Sequence, residues 1–196
     1  MSNEGVDGGR RRFLTAATSA VGAAGAVAVV WPFLASLKPS AKALAAGAPV
    51  LADIGKLEVG QQVTFVWQGL NIWVLRRSKD MIDSLGKVTP RLADPKSDSS
   101  TQPDYCKNEH RSIKPELLVM NGKCTHLGCS PKLMPDHPDP AVDASWEGGY
   151  FCPCHGSKYD LAGRVFSGQP APLNMLVPPH RYSSDTMLVI GEDTKA

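Results

Sequence analysis

From Phe13 to Leu37 the chain carries no charged residue. A helix over that span reaches about 37 Å at ~1.5 Å per residue, enough to cross a hydrocarbon core of ~30 Å. Beyond Pro49 the pattern changes to short runs rich in β-branched and aromatic residues. Pro49 to Ile54, Gln62 to Trp67 and Leu70 to Arg76 predict strands, and Gln68-Gly69 predicts the turn of a hairpin between the last two. Ser78 to Gly86 predicts a short helix with Ser78 as N-cap and Gly86 as terminator. Arg91 to Lys114 is polar and reads as a surface excursion. Glu116 to Asn121 and Gly149 to Phe151 predict strands that lead into two blocks of cysteine and histidine, and Met187 to Ile190 closes the sheet. The pattern as a whole predicts a mainly β protein. It reads as an antiparallel β-sandwich or barrel with a small lobe inserted at about residues 122–172, preceded by one N-terminal transmembrane helix.

Arg10-Arg11-Arg12-Phe13-Leu14 carries the twin-arginine export pattern ahead of the apolar run. Trp31-Pro32-Phe33 closes that run like an interfacial anchor, which favours an uncleaved helix. Small residues from Ala41 to Ala46 keep a cleaved signal as the alternative. Three arginines before the helix, against Lys38 and Lys42 after it, place the N-terminus in the cytoplasm. Residues 1–12 then form the cytoplasmic end, 13–37 the anchor, 38–48 a tether and 49–196 a periplasmic head. The Ala-rich tether spans about 16 Å as helix and up to about 36 Å extended, so it serves either as a hinge or as a passive stalk.

Composition narrows the class. Twenty-one basic residues against 19 acidic ones leave a net charge of +2, which gives no reason to expect a nucleic-acid partner. Hydrophobic residues at 42% suffice for a core, while 18 glycines and 16 prolines announce many turns. Four of the five cysteines lie in the two blocks. Cys106 stands apart and reads as a free thiol without function.

The blocks are Cys-Thr-His-Leu-Gly-Cys from Cys124 to Cys129 and Cys-Pro-Cys-His-Gly-Ser from Cys152 to Ser157. Each offers one thiolate and one imidazole at loop spacing. Two sulfur and two nitrogen ligands fit a [2Fe–2S] centre in which histidines replace two cysteines. Cys124 and His126, one residue apart, share a side of an extended loop, and Cys152 and His155 suit a tight turn. Cys129 and Cys154 remain as one spare per loop, and a bond between them would clamp the loops across the metal. Cys₂His₂ is also a zinc set, but zinc fingers pair like with like in each knuckle, whereas each loop here is mixed. His110, His137 and His180 sit beside charged or proline-rich residues and read as solvated surface groups.

The two blocks, both extra cysteines, the twin-arginine anchor, the Ala-rich tether and Gly168-Gln169-Pro170-Ala171-Pro172 together resemble the Rieske iron–sulfur protein of the cytochrome bc1 complex, quinol–cytochrome c reductase. The resemblance implies a [2Fe–2S] cluster with Cys124 and Cys152 on one iron and His126 and His155 on the outer one. It implies a Cys129–Cys154 disulfide, hydrogen bonds from Ser157 to a bridging sulfide and from Tyr159 to a cysteine sulfur, and docking of Leu127 against cytochrome b. It also implies a covering proline loop with Gly168, Pro170 and Pro172, although Gln169 is inserted in the usual Gly-Pro-Ala-Pro. By the same resemblance the outer nitrogen of His155 takes a quinol proton as an electron leaves, and the head carries that electron to cytochrome c1. That implies an inner-membrane translocase of the dimeric bc1 type. The small Rieske subunit of a periplasmic molybdenum oxidase, such as arsenite oxidase, shares the export signal and the disulfide pair and stands as the alternative. The stretch from Ser130 to Gly148 is longer than in many relatives.

Overall fold

The computed structural model of the chain describes residues 5, 7–135, 142–143 and 145–193. It divides into two compact units, Met1–Ala45 and Ala46–Ala196.

In the first unit, helix α1 (Gly8–Ser36) starts at Asp7, whose carboxylate accepts the backbone N–H of Gly9 at 2.9 Å. A side-chain acceptor there satisfies one of the donors that a helix start leaves free. Thr15 and Thr18 donate to the carbonyls of Arg11 and Leu14, so their hydroxyls find partners within the helix itself. Phe13, Val27, Trp31, Phe33 and Leu34 all point outward, and no residue of α1 is buried. Its length and composition are those of a membrane-crossing helix. Helix α2 (Ala41–Gly47) follows, with Ser40 Oγ accepting from Ala43 N at 3.2 Å. Residues 41–47 of the tether are therefore helical in this structure, and the division between the two units falls inside that helix.

Among the described residues, nine strands and one complete α-helix lie in the second unit. Strands β1 (Val50–Asp53), β2 (Gln62–Trp67), β3 (Leu70–Arg76), β4 (Leu117–Asn121), β5 (Lys132–Met134), β6 (Gly149–Phe151), β7 (Lys158–Tyr159), β8 (His180–Tyr182) and β9 (Met187–Ile190) form three antiparallel sheets. Their orders are β1-β9-β8, β2-β3-β4 and β5-β6-β7. The hairpin turn at Gln68-Gly69 holds both residues at positive φ, 51° and 71°, the combination of a type I′ turn.

Alternation along β3 and β4 explains how the sheets stack. Ile72, Val74, Leu117 and Val119 face one core, shared with Ala52, Leu188 and Ile190 of β1 and β9. Trp73, Leu75, Leu118 and Met120 face a second core, shared with Cys124, Tyr150, Cys152 and Tyr159. A strand buried on both faces reads as a continuous apolar run, and β4 is buried at every position. The second core is the floor on which the β5-β6-β7 lobe and both Cys/His blocks rest.

Three expectations need correction. Helix α3 (Lys79–Val88) begins at its Ser78 cap but runs past Gly86, because Val88 is buried beside Leu92, Trp146 and Phe166; the helix then gives way to a 3₁₀ turn containing Pro90. The Arg91–Lys114 stretch is not a surface excursion, since Ser97, Cys106, Arg111 and Ser112 are all buried. Cys106 is a free thiol, and burial pushes it up to about 12. His180 is fully buried, not solvated, with Nδ1 bonded to the Pro178 carbonyl at 2.8 Å, and His110 is half-buried. His137 lies outside the described residues. The described parts of the 130–148 extension are held by β5, by buried Trp146, and by Asp143, which accepts from Lys158 Nζ at 2.7 Å.

Candidate metal centre

The two Cys/His blocks fold into one turn used twice. Cys124 N donates to Cys129 O at 2.7 Å, and Gly128 N returns to Cys124 O at 2.9 Å. Cys152 N donates to Ser157 O at 2.8 Å, and Gly156 N returns to Cys152 O at 2.9 Å. Gly128 and Gly156 close these turns at φ of 81° and 77°, where a side chain would be strained. Superposed in sequence, the repeats pair Cys124 with Cys152 at the buried root of each turn. His126 then falls on Cys154, Leu127 on His155, and Cys129 on Ser157. The one-residue offset between the two histidines is why the blocks have different spacings.

Burial separates sulfur from nitrogen. Cys124 and Cys152 are buried free thiols, whereas His126 is partly exposed and His155 exposed. The histidine rings meet edge to face with centroids 4.7 Å apart. Burial pushes the Cys152 thiol up and the neighbouring Cys124 thiol adds to this, while backbone N–H groups of Cys154 and His155 aimed at its sulfur oppose it. Such donors favour a thiolate, the form that ligates metal. His126 Nδ1 is buried without a hydrogen-bond partner. An orphaned buried ring nitrogen in the same turn as a buried thiol has the chemistry of a metal ligand. The donor set of two sulfurs and two nitrogens fits a [2Fe–2S] centre.

Cys129 and Cys154 are joined in a disulfide that ties the two turns together. Their sulfurs and that of Cys152 lie within 4.8 Å of one another. Disulfide sulfurs offer no thiolate, so this trio is not a ligand set; it is the clamp lying against the Cys152 thiol.

Tyr159, on β7, donates its hydroxyl to Cys124 Sγ at 3.1 Å and accepts from Thr125 N at 3.1 Å. Burial pushes the phenol up, which keeps it a donor. Ser157 Oγ is buried and accepts from Ala171 N at 3.1 Å, leaving its own proton to give. That bond fastens the middle of the Gly168–Pro172 loop to the second turn. The inserted Gln169 serves the same end, its Oε1 accepting from Lys158 N at 3.1 Å. Leu127 is 72% exposed at the tip, a large apolar side chain left uncovered by the described residues.

Two residues that hold the site were not read from the sequence. Thr125 Oγ1 donates to Leu173 O at 2.6 Å, fastening the first turn to the far end of the proline loop. Its place inside the first block was a usable signal. Buried Asn174 accepts from Val165 N and donates to Asp94 O, each at 2.8 Å. Nothing local marks it.

The family description "Rieske [2Fe-2S] domain" matches residues 105–178. The doubled turn and the match define a Rieske-type iron–sulfur protein. "Ubiquitinol-cytochrome C reductase Fe-S subunit TAT signal" matches residues 1–40. The ubiquinol-cytochrome c reductase iron-sulfur subunit of Allochromatium vinosum is 54% identical over 193 residues, covering 98% of this chain and 93% of the relative. That of Blastochloris viridis is 41% identical over 191 residues, covering 97% of each. The mitochondrial cytochrome b-c1 complex subunit Rieske of Candida albicans is 37% identical over 180 residues, covering 91% of this chain and 75% of the relative. The chain belongs to the family of ubiquinol–cytochrome c reductase iron–sulfur subunits. These kinships do not favour the molybdenum-oxidase alternative.

Proposed function

We propose that this chain takes one electron and one proton from quinol at a cytochrome b site and delivers the electron to cytochrome c1, so contributing to proton translocation. The observation that carries this reading is the polarity of the site: thiols buried at the root, imidazoles facing out. When bound by Cys124, Cys152, His126 and His155, a [2Fe–2S] centre supplies a one-electron acceptor whose charge is felt by the imidazoles.

The residues do the rest. His155, exposed at the end of its turn, accepts the hydroxyl proton of quinol on its outer nitrogen and surrenders it after the electron has left. His126 presents Nε2 outward because its Nδ1 faces the buried side. Leu127 fills an apolar depression on cytochrome b, excluding water around the transferred proton. Tyr159 and Ser157 steady the added negative charge with donated hydrogen bonds. The disulfide and the loop at Gly168, Pro170 and Pro172 shield the buried face.

Residues 1–12 lie in the cytoplasm, 13–37 anchor the chain in the bacterial inner membrane, 38–48 act as hinge, and 49–196 form the periplasmic head with its lobe at 122–172. The helical α2 is one state of that hinge, and its extension lets the head move between cytochromes within a dimeric complex. Detergent extraction of the full chain from its membrane tests the reading. Co-purification with b-type and c-type haem is expected, with quinol-dependent reduction of cytochrome c. A haem-free protein recovered without detergent contradicts it.

A further inference from the structure

Arg77, Arg111 and Arg164 are buried to 2%, 0% and 1% exposure in the second unit. Burial of a charge is costly unless an opposite charge compensates it. Among the described residues only one ion pair reaches any of them, Arg164 Nε to Asp160 Oδ2 at 2.6 Å. Arg77 instead donates to the carbonyls of Pro115, Leu161 and His110 and to Ser112 Oγ. Arg111 donates to Gln102 Oε1 and to the carbonyls of Ala162 and Met175, the last at 2.7 Å. These neutral oxygens satisfy the N–H groups and leave the positive charge in place. Burial pushes both guanidinium groups down to about 10, so each stays charged at neutral pH.

The segment these arginines grip is also the wall of the metal site. Leu161, Ala162 and Met175, whose carbonyls they hold, pack in the same core as Cys124, Cys152 and Tyr159. Arg77 and Arg111 thus brace the core that contains the Cys124 and Cys152 thiols, in a medium that screens less than water. Asp160 pulls on both guanidinium groups but is already paired with Arg164. Two ferric irons, two sulfides and two thiolates sum to zero charge, so the negative charge that the arginines would meet is the one that reduction adds.

We infer that Arg77 and Arg111 supply a fixed positive field that favours the electron-loaded centre and raises its reduction potential. They touch neither ligand nor substrate; they are tuning residues. The inference rests on the reading that Cys124, Cys152, His126 and His155 bind a [2Fe–2S] centre. At an effective dielectric of ~20, a unit charge ~12 Å from a redox centre shifts its equilibrium about tenfold.

The test is voltammetry of the full-length, cluster-loaded protein, with the EPR spectrum as a check that the centre is intact. Arg111→Gln is expected to weaken the preference for the reduced form about tenfold, about 59 mV for a one-electron couple. Arg111→Lys keeps the charge and is expected to restore most of that shift. Asp160→Asn removes the negative member of the group and is expected to move the midpoint upward. An intact EPR signal with an unmoved midpoint in Arg111→Gln overturns the inference, as do equal shifts in the Gln and Lys variants. Where Arg111→Gln does not accumulate, Asp160→Asn decides alone: a midpoint that stays or falls overturns it. A wild-type protein without the reduced-cluster EPR signal overturns the metal site itself, a distinguishable result.

Discussion

Ser157 Oγ accepts the backbone N–H of Ala171 at 3.1 Å, joining the second turn to the middle of the proline loop. The bond occupies the hydroxyl as acceptor and orients its proton away from the loop. One residue therefore fastens the loop and still keeps a proton to donate.

Ser157→Ala removes that donor and leaves the Ala171 N–H buried without a partner. A hydrogen bond to a charged group contributes ~1.5–3 kcal/mol, so the midpoint is expected to fall by about 60–130 mV. Voltammetry checks it, and an unshifted midpoint removes Ser157 from the tuning role. Tyr159→Phe, which deletes the donor to Cys124 Sγ, is expected to move in the same direction.

Cys129→Ser breaks the clamp across a sequence separation of 25 residues. Disulfides typically contribute ~2–4 kcal/mol, so faster loss of iron on heating is expected. Iron retention equal to wild type argues that the hydrogen bonds of the two turns suffice without it.

Prolines at Ala43, Leu44 and Ala45 break the hydrogen bonds of α2 and fix φ. The expected outcome is an unchanged EPR signal with slower reduction of cytochrome c1. Unchanged turnover reduces the tether to a stalk.

His180 is held neutral: burial pushes its imidazole down, against the weaker upward pull of the Pro178 carbonyl and Asp193. A base with a lowered folded pKa binds fewer protons when folded. Its contribution to stability is then complete above the unfolded value of ~6.5 and declines as pH falls below it. The melting temperature of the wild type is expected to drop between pH 7.5 and 5.5, and His180→Gln to lessen that drop. Parallel profiles in the two proteins contradict this role.

The two turns of the candidate site were legible where the pattern is local. Cys124, His126, Cys152 and His155 sit in six-residue blocks whose spacing carries the turn, and Gln68-Gly69 carries the hairpin. Elements set by distant partners were not legible. Arg111 is buried by a bond to Met175, 64 residues away, and no local pattern distinguishes it from a solvated arginine. His180 was misread for the same reason, since its burial depends on Tyr105, whose ring meets it edge-on. Gly86 looked like a helix end because its local preference is opposed only by the tertiary burial of Val88. The inserted Gln169 gave no hint that its amide would dock on Lys158.

The midpoint of the loaded protein, followed from neutral to strongly alkaline solution, tests proton-coupled electron transfer at the outward imidazoles most directly. The midpoint is expected to hold a plateau and then fall by about 59 mV per pH unit once an imidazole of the oxidised protein loses its proton. A midpoint that stays constant across the whole range contradicts it.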